Sequence, residues 1–61
     1  MESQILRWPE VLNITRLSRT TIRRMIKRGV FPAPFKLHLN LVAWKRDEVE
    51  QWLQDRMKVR G

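Results

Sequence analysis

Residues 17–29 read LSRTTIRRMIKRG. Ser18 is a strong N-cap residue, because its hydroxyl oxygen can accept from an otherwise unsatisfied N–H of a first helical turn. Gly29 suits the left-handed residue that closes a helix. Lys27 and Arg28 favour the negative end of the helix dipole. At about 100° per residue, Ile22, Met25 and Ile26 fall within about 100° of one another and form one apolar stripe. Thr20, Arg23, Arg24 and Lys27 fall on the opposite side, flanked by Arg19 and Arg28. The spacing therefore predicts a helix over Arg19–Arg28, apolar on one face and almost wholly cationic on the other.

The flanks give this helix its context. Upstream, Ile5-Leu6-Arg7 suits a brief strand, and Pro9 suits the first turn of a short helix over Pro9–Asn13. Asn13 and Thr15 favour leaving it, since both compete for backbone hydrogen bonds. Downstream, VFPAPF at 30–35 cannot be helical, because Pro32 and Pro34 remove donors and extend the residues before them. Phe35–His38 and Val42–Trp44 then read as two strands, with Leu39-Asn40-Leu41 as the turn and Asn40 tolerant of positive φ. Asp47 as N-cap with Glu50 three positions on has the pattern of a capping box. Val49, Trp52, Leu53 and Met57 follow the spacing of a third helix over Glu48–Lys58. All three tryptophans, Trp8, Trp44 and Trp52, are expected in the core. The ends, 1–4 and 58–61, are expected to fray.

The chain has 61 residues, enough for one domain spanning 1–61. A domain of this size buries only about 60% of its unfolded surface and is marginally stable. With no cysteine and the single histidine His38, neither a disulfide nor a clustered zinc site can reinforce it. Neither a metal nor another cofactor is expected. No apolar run of about 7–15 residues near the start suggests a signal peptide, and no stretch suggests a membrane span. A cytoplasmic location without membrane contact is expected.

The net charge is +7, from 13 basic and 6 acidic residues. Between Val11 and Arg46 there are nine cationic residues and no acidic one. A one-sign stretch inside a folded domain attracts a polyanion. A surface kept merely soluble would intersperse acids. Two short helices joined by a tight turn, the second of them basic, make a helix-turn-helix pattern. The major groove of duplex DNA admits one helix, where arginine forks onto guanine and small hydroxyls reach phosphates or bases. The candidate contacts are Ser18, Arg19, Thr20, Thr21, Arg23, Arg24 and Lys27 on the helix. Lys36, His38 and Asn40 join them from the hairpin, read as a wing. The expected fold is mainly α with a small β-hairpin: a winged helix-turn-helix of three helices plus wing.

PEVLNITRLSRTTIRRMIKRGVFPAPFKL followed by AWKRDEVEQWLQDR resembles the AlpA-type phage regulators, small proteins related to the DNA-binding half of MerR proteins and to phage excisionases. The resemblance spans about residues 5–57. LSRTTIRRMIKRGVFP, the lone Trp44 after the wing and DEVEQWL carry it together. It implies a sequence-specific DNA-binding transcriptional regulator of prophage or genomic-island genes, acting at the bacterial nucleoid. By position, it implies that Ser18, Arg19, Thr20, Arg23 and Arg24 read bases and hold phosphates. Two departures stand out. The family usually has Gly where this chain has Arg16, and a left-handed backbone costs a non-glycine residue about 1–2 kcal/mol, so the turn is expected to differ. The family's wing usually carries Gly and Arg where this chain reads HLNL at 38–41, so either Leu39 and Leu41 form a self-association patch or the wing is shifted.

Other roles remain open at this point. An excision factor working with an integrase would begin with the same DNA contact. A small protein-binding adaptor or inhibitor could use the same surface. RNA binding lacks an aromatic stacking sheet. An enzyme is not expected, because the residues form no catalytic carboxylate pair, cysteine nucleophile or histidine triad, and no small-molecule ligand is implied.

Overall fold

A computed structural model describes residues 4–58, so the expected fraying of 1–3 and 59–61 lies outside the described residues. The elements run β1 (Ile5–Leu6), α1 (Trp8–Thr15), α2 (Arg19–Lys27), β2 (Phe35–His38), β3 (Leu41–Lys45) and α3 (Arg46–Lys58). The strands form one antiparallel sheet in the order β1-β3-β2. Three helices on a small sheet with a projecting β2–β3 hairpin make a winged helix-turn-helix.

Helix α1 is longer than the sequence suggests. It starts at Trp8 because the backbone N–H of Arg7 donates to Glu10 Oε1 at 2.7 Å, which fixes the first turn. It lasts to Thr15, whose hydroxyl donates to the Val11 carbonyl at 2.8 Å and accepts from the Leu17 N–H at 3.3 Å where the helix ends. Arg7 itself caps α1 rather than extending β1. The turn after α1 does not avoid the left-handed region: Arg16 sits there, with φ 62 and ψ 23, and its N–H reaches the Leu12 carbonyl at 2.8 Å. Beyond that turn α2 buries Ile22 fully in the core.

Helix α2 begins where expected and ends one residue early, with Arg28 as its C-cap. Gly29 takes φ 77, and paired bonds from Gly29 N–H to Ile26 and from Val30 N–H to Met25 close the helix.

Helix α3 departs further from expectation. Asp47 is not an N-cap, since the helix already begins at Arg46. Strand β3 runs into it without a loop, and Arg46 N–H donates to the Gln4 carbonyl at 2.9 Å, one step beyond the β1–β3 ladder. Gln4 is thereby anchored rather than frayed, and Lys58 is the last residue of α3. Glu50 reaches not a backbone donor but Arg46 Nη1, at 3.2 Å. Along α3, Val49 is buried and Trp52 and Leu53 half-buried, whereas Met57 is exposed.

In the hairpin, β3 starts at Leu41 and the turn shortens to Leu39-Asn40. The register slips between Lys36, opposite Val42, and His38, opposite Leu41. That bulge places Leu39, not Asn40, at positive φ (44).

The core comprises Leu6, Val11, Ile22, Phe31, Ala43, Trp44 and Val49. Of the tryptophans, Trp44 is fully buried, whereas Trp8 and Trp52 are half-buried at its margins. Trp8 meets Trp44 edge-on at 4.8 Å, and Phe31 meets Trp44 at 6.4 Å and Trp52 at 4.7 Å. The indole N–H groups donate to the loop between α2 and β2: Trp44 to Pro32 O at 2.8 Å, Trp52 to Val30 O at 2.7 Å.

Trp44→Ala removes the centre of this chain of rings and costs about 3–5 kcal/mol, enough to leave so small a domain largely unfolded by circular dichroism. Arg16→Gly relieves the left-handed backbone and raises stability by about 1 kcal/mol. Thermal melts should show that as a gain of about 4–8 °C.

Candidate nucleic-acid interface

The outward surface of α2 starts from its cap. Ser18 Oγ accepts from Thr21 N–H at 3.1 Å and donates to Thr21 Oγ1 at 2.9 Å. These two hydroxyls thus start the helix and orient each other. Beyond them, Arg19, Thr20, Arg23, Arg24 and Lys27 are all exposed, while Thr21 is half-buried. Among the described residues none of the α2 cations is held in an ion pair, so the helix face keeps its charge unspent.

The arginines are nevertheless not equivalent. Arg19 and Arg23, one turn apart, both lie over the Trp8 ring, at 4.9 and 5.7 Å from its centroid. A guanidinium on an aromatic face gains about 0.5–1 kcal/mol at an exposed site and gives up some side-chain freedom before any ligand arrives. Trp8 is itself propped on Trp44, so the core holds the platform. Arg24 points to the other flank. There, with Arg28 and Arg56, it borders a groove of about 580 Å³ floored by Leu17, Met25 and Leu53. Arg56 lies over the Trp52 ring at 4.7 Å.

Lys36, His38 and Asn40 are exposed on the hairpin, which joins α2 through the loop that the two indoles pin. The seven helix candidates thus lie along α2 and its cap, divided between two flanks, and the other three lie on the hairpin. Sequence reasoning placed Trp8 in the core and missed it as a platform, because its partners lie across the α1–α2 turn rather than at helical spacing. Arg56 was within reach of inspection, since it stands four residues from Trp52 on one helix face.

Among the described residues there is no cluster of ligands that could hold a metal, and no helix is long and apolar enough to cross a membrane. The profile of the family described as "Prophage CP4-57 regulatory protein (AlpA)" matches residues 4–57. "Uncharacterized protein ORF88" of Enterobacteria phage P4 is 39% identical over 56 residues, which cover 92% of this chain. The chain spans 64% of the length of that phage protein.

Ser18→Ala should cost about 1 kcal/mol through loss of the cap, seen as a lower melting temperature. Ser18→Asp should melt close to the parent, because its carboxylate both caps and complements the helix dipole.

Proposed function

The chain belongs to the AlpA family of phage-related DNA-binding regulators, and from that membership and the surface of α2 we propose that it binds a specific duplex DNA sequence to regulate prophage or genomic-island genes in the bacterial cytoplasm. Helix α2 enters the major groove and the β2–β3 hairpin serves as the wing. The observation that carries this reading is the exposed, acid-free face of α2, none of whose cations is held in an ion pair among the described residues.

The stacking on Trp8 divides the work. Arg19 and Arg23 are held in place and suit phosphates, whose positions repeat whatever the sequence. Arg24 is not stacked on a ring and can turn its fork toward the O6 and N7 of guanine. Ser18, Thr20 and Thr21 lie at the N-terminal end of α2, the part of a recognition helix that approaches base edges. Lys27, His38 and Asn40 contact the flanking backbone, as does Lys36 in a copy whose wing is free. Each phosphate neutralised releases counterions and makes binding salt-dependent. A single module of this size buries about 600–1,000 Å² on DNA, so useful specificity requires several copies on adjacent sites or a partner such as an integrase.

Selection from a random duplex library at about 0.15 M salt should enrich a short motif, and Arg23→Ala/Arg24→Ala should lose it. Failure of the parent to enrich any motif would sink the proposal. On the selected site, Arg24→Ala should weaken binding by about 1–3 kcal/mol while sparing unrelated DNA. Arg19→Ala should weaken both and reduce the slope of log K against log salt by about 1.

A further inference from the structure

The wing is oddly made for a surface that meets only DNA. Every residue of β2 is exposed. Leu39, at the tip, is 73% exposed, and Phe35, Leu37 and Leu41 are also exposed. Contiguous apolar surface on a small soluble domain marks an interaction site. β2 is moreover an edge strand, with one side of its backbone unpaired by the sheet. The only charged side chain on it is Lys36, with His38 beside it. The wing is therefore an apolar projection with a cationic margin.

Elsewhere the same chain carries the opposite shape and charge. A groove of about 620 Å³ lies between the loop after α2 and the outer side of α3. Its floor is apolar, from Val30, Phe31, Pro32 and Trp52, and Glu48 and Asp55 stand on its rim. Among the described residues neither carboxylate has a cationic partner, although the chain carries a net +7. Asp55 accepts from Gln51, at 3.0 Å. Two carboxylates without a cationic partner, beside the exposed Val30 and the half-buried Pro32 and Trp52, suit an occupant that is apolar and basic.

We infer that the wing of one copy of this chain docks in the acid-rimmed groove of the next, with Leu39 and Leu41 over Val30 and Trp52, and Lys36 beside Glu48 and Asp55. The contact is head-to-tail. Each copy in a row leaves a free groove at one end and a free wing at the other, so the assembly extends rather than closes. The segment 35–41 supplies only seven residues, against about 20–30 a side in a stable interface. The contact is therefore weak between free molecules and takes effect where DNA holds copies side by side, which raises their effective concentration toward millimolar. This inference deepens the DNA-binding reading and rests on it for its purpose, so its test omits DNA.

The chain has no cysteine, so single cysteines can report the contact by disulfide trapping. Asn40→Cys lies at the wing tip and Ala33→Cys lines the groove, both at exposed positions. On mixing the two variants at about 1 mM, the effective concentration expected for neighbours, the mixed dimer that links wing thiol to groove thiol should exceed either homodimer about tenfold. Adding Glu48→Lys/Asp55→Lys to the groove variant should return the yield to that of random pairing. Adding Lys36→Glu to the wing variant should then restore it. Thermal melts of each variant verify folding. A predominance of wing-to-wing homodimer, random yields from the start, or failure of the charge exchange to rescue a folded pair would overturn the inference. None of these outcomes bears on whether α2 reads DNA.

Discussion

The indole N–H of Trp44 on the Pro32 carbonyl and that of Trp52 on the Val30 carbonyl hold this fold together. Residues 30–34 form neither helix nor strand, and Pro32 and Pro34 each remove a backbone donor from the segment. The Pro32 carbonyl is partly buried, and a polar group removed from water without a partner costs about 1–3 kcal/mol. The two tryptophans supply the donors, and Phe31 fills the space between their rings. One short loop thereby joins the sheet, through Trp44, to α3, through Trp52, and sets where the hairpin leaves α2. A 61-residue chain without disulfide or metal cluster has few other means of fixing a wing relative to a helix.

The same chain of rings organises the charge. It runs Trp8–Trp44–Phe31–Trp52, and its two half-buried ends are faced by arginines: Arg19 and Arg23 at Trp8, Arg56 at Trp52. A net charge of +7 on so small a body opposes its own compactness. Stacking offsets part of that repulsion without neutralising any cation, whereas a salt bridge would have cancelled the charge the surface presents. Packing and electrostatics meet at Trp8: the side that rests on Trp44 belongs to the core, and the face it offers the arginines belongs to the interface.

What was legible in the sequence follows from the range of the forces involved. Helix α2 could be read nearly to the residue, because its cap, apolar stripe and closing glycine all lie within one stretch. The start of α3 could not. Asp47 has the local look of a cap, but the decisive bond joins Arg46 to Gln4, at the far end of the chain. Trp8 was likewise recognisable as a large apolar residue and not as an arginine platform, since that role exists only once α1 and α2 cross. In the hairpin, residue preferences pointed to Asn40 for the positive φ, and the bulge between Lys36 and His38 moved it to Leu39. The candidate site was legible where it coincides with one amphipathic helix, and obscure where it depends on tertiary contact.

Among the described residues two non-glycine positions hold a left-handed backbone, Arg16 and Leu39. Each costs about 1–2 kcal/mol that a glycine would spare, and this domain has little stability to lose. Neither side chain is recovered by burial, as both are exposed. An exposed side chain at a strained position contributes little to folding, so what it offers a ligand is the surface it presents. Arg16 places a cation at the turn that presents α2. Leu39 places a bare aliphatic group at the tip of the wing, where a phosphate backbone has nothing apolar to offer it. The strain at the first is intelligible for a polyanion. The strain at the second follows from the bulge between Lys36 and His38, and it leaves that aliphatic group available to the apolar groove proposed above.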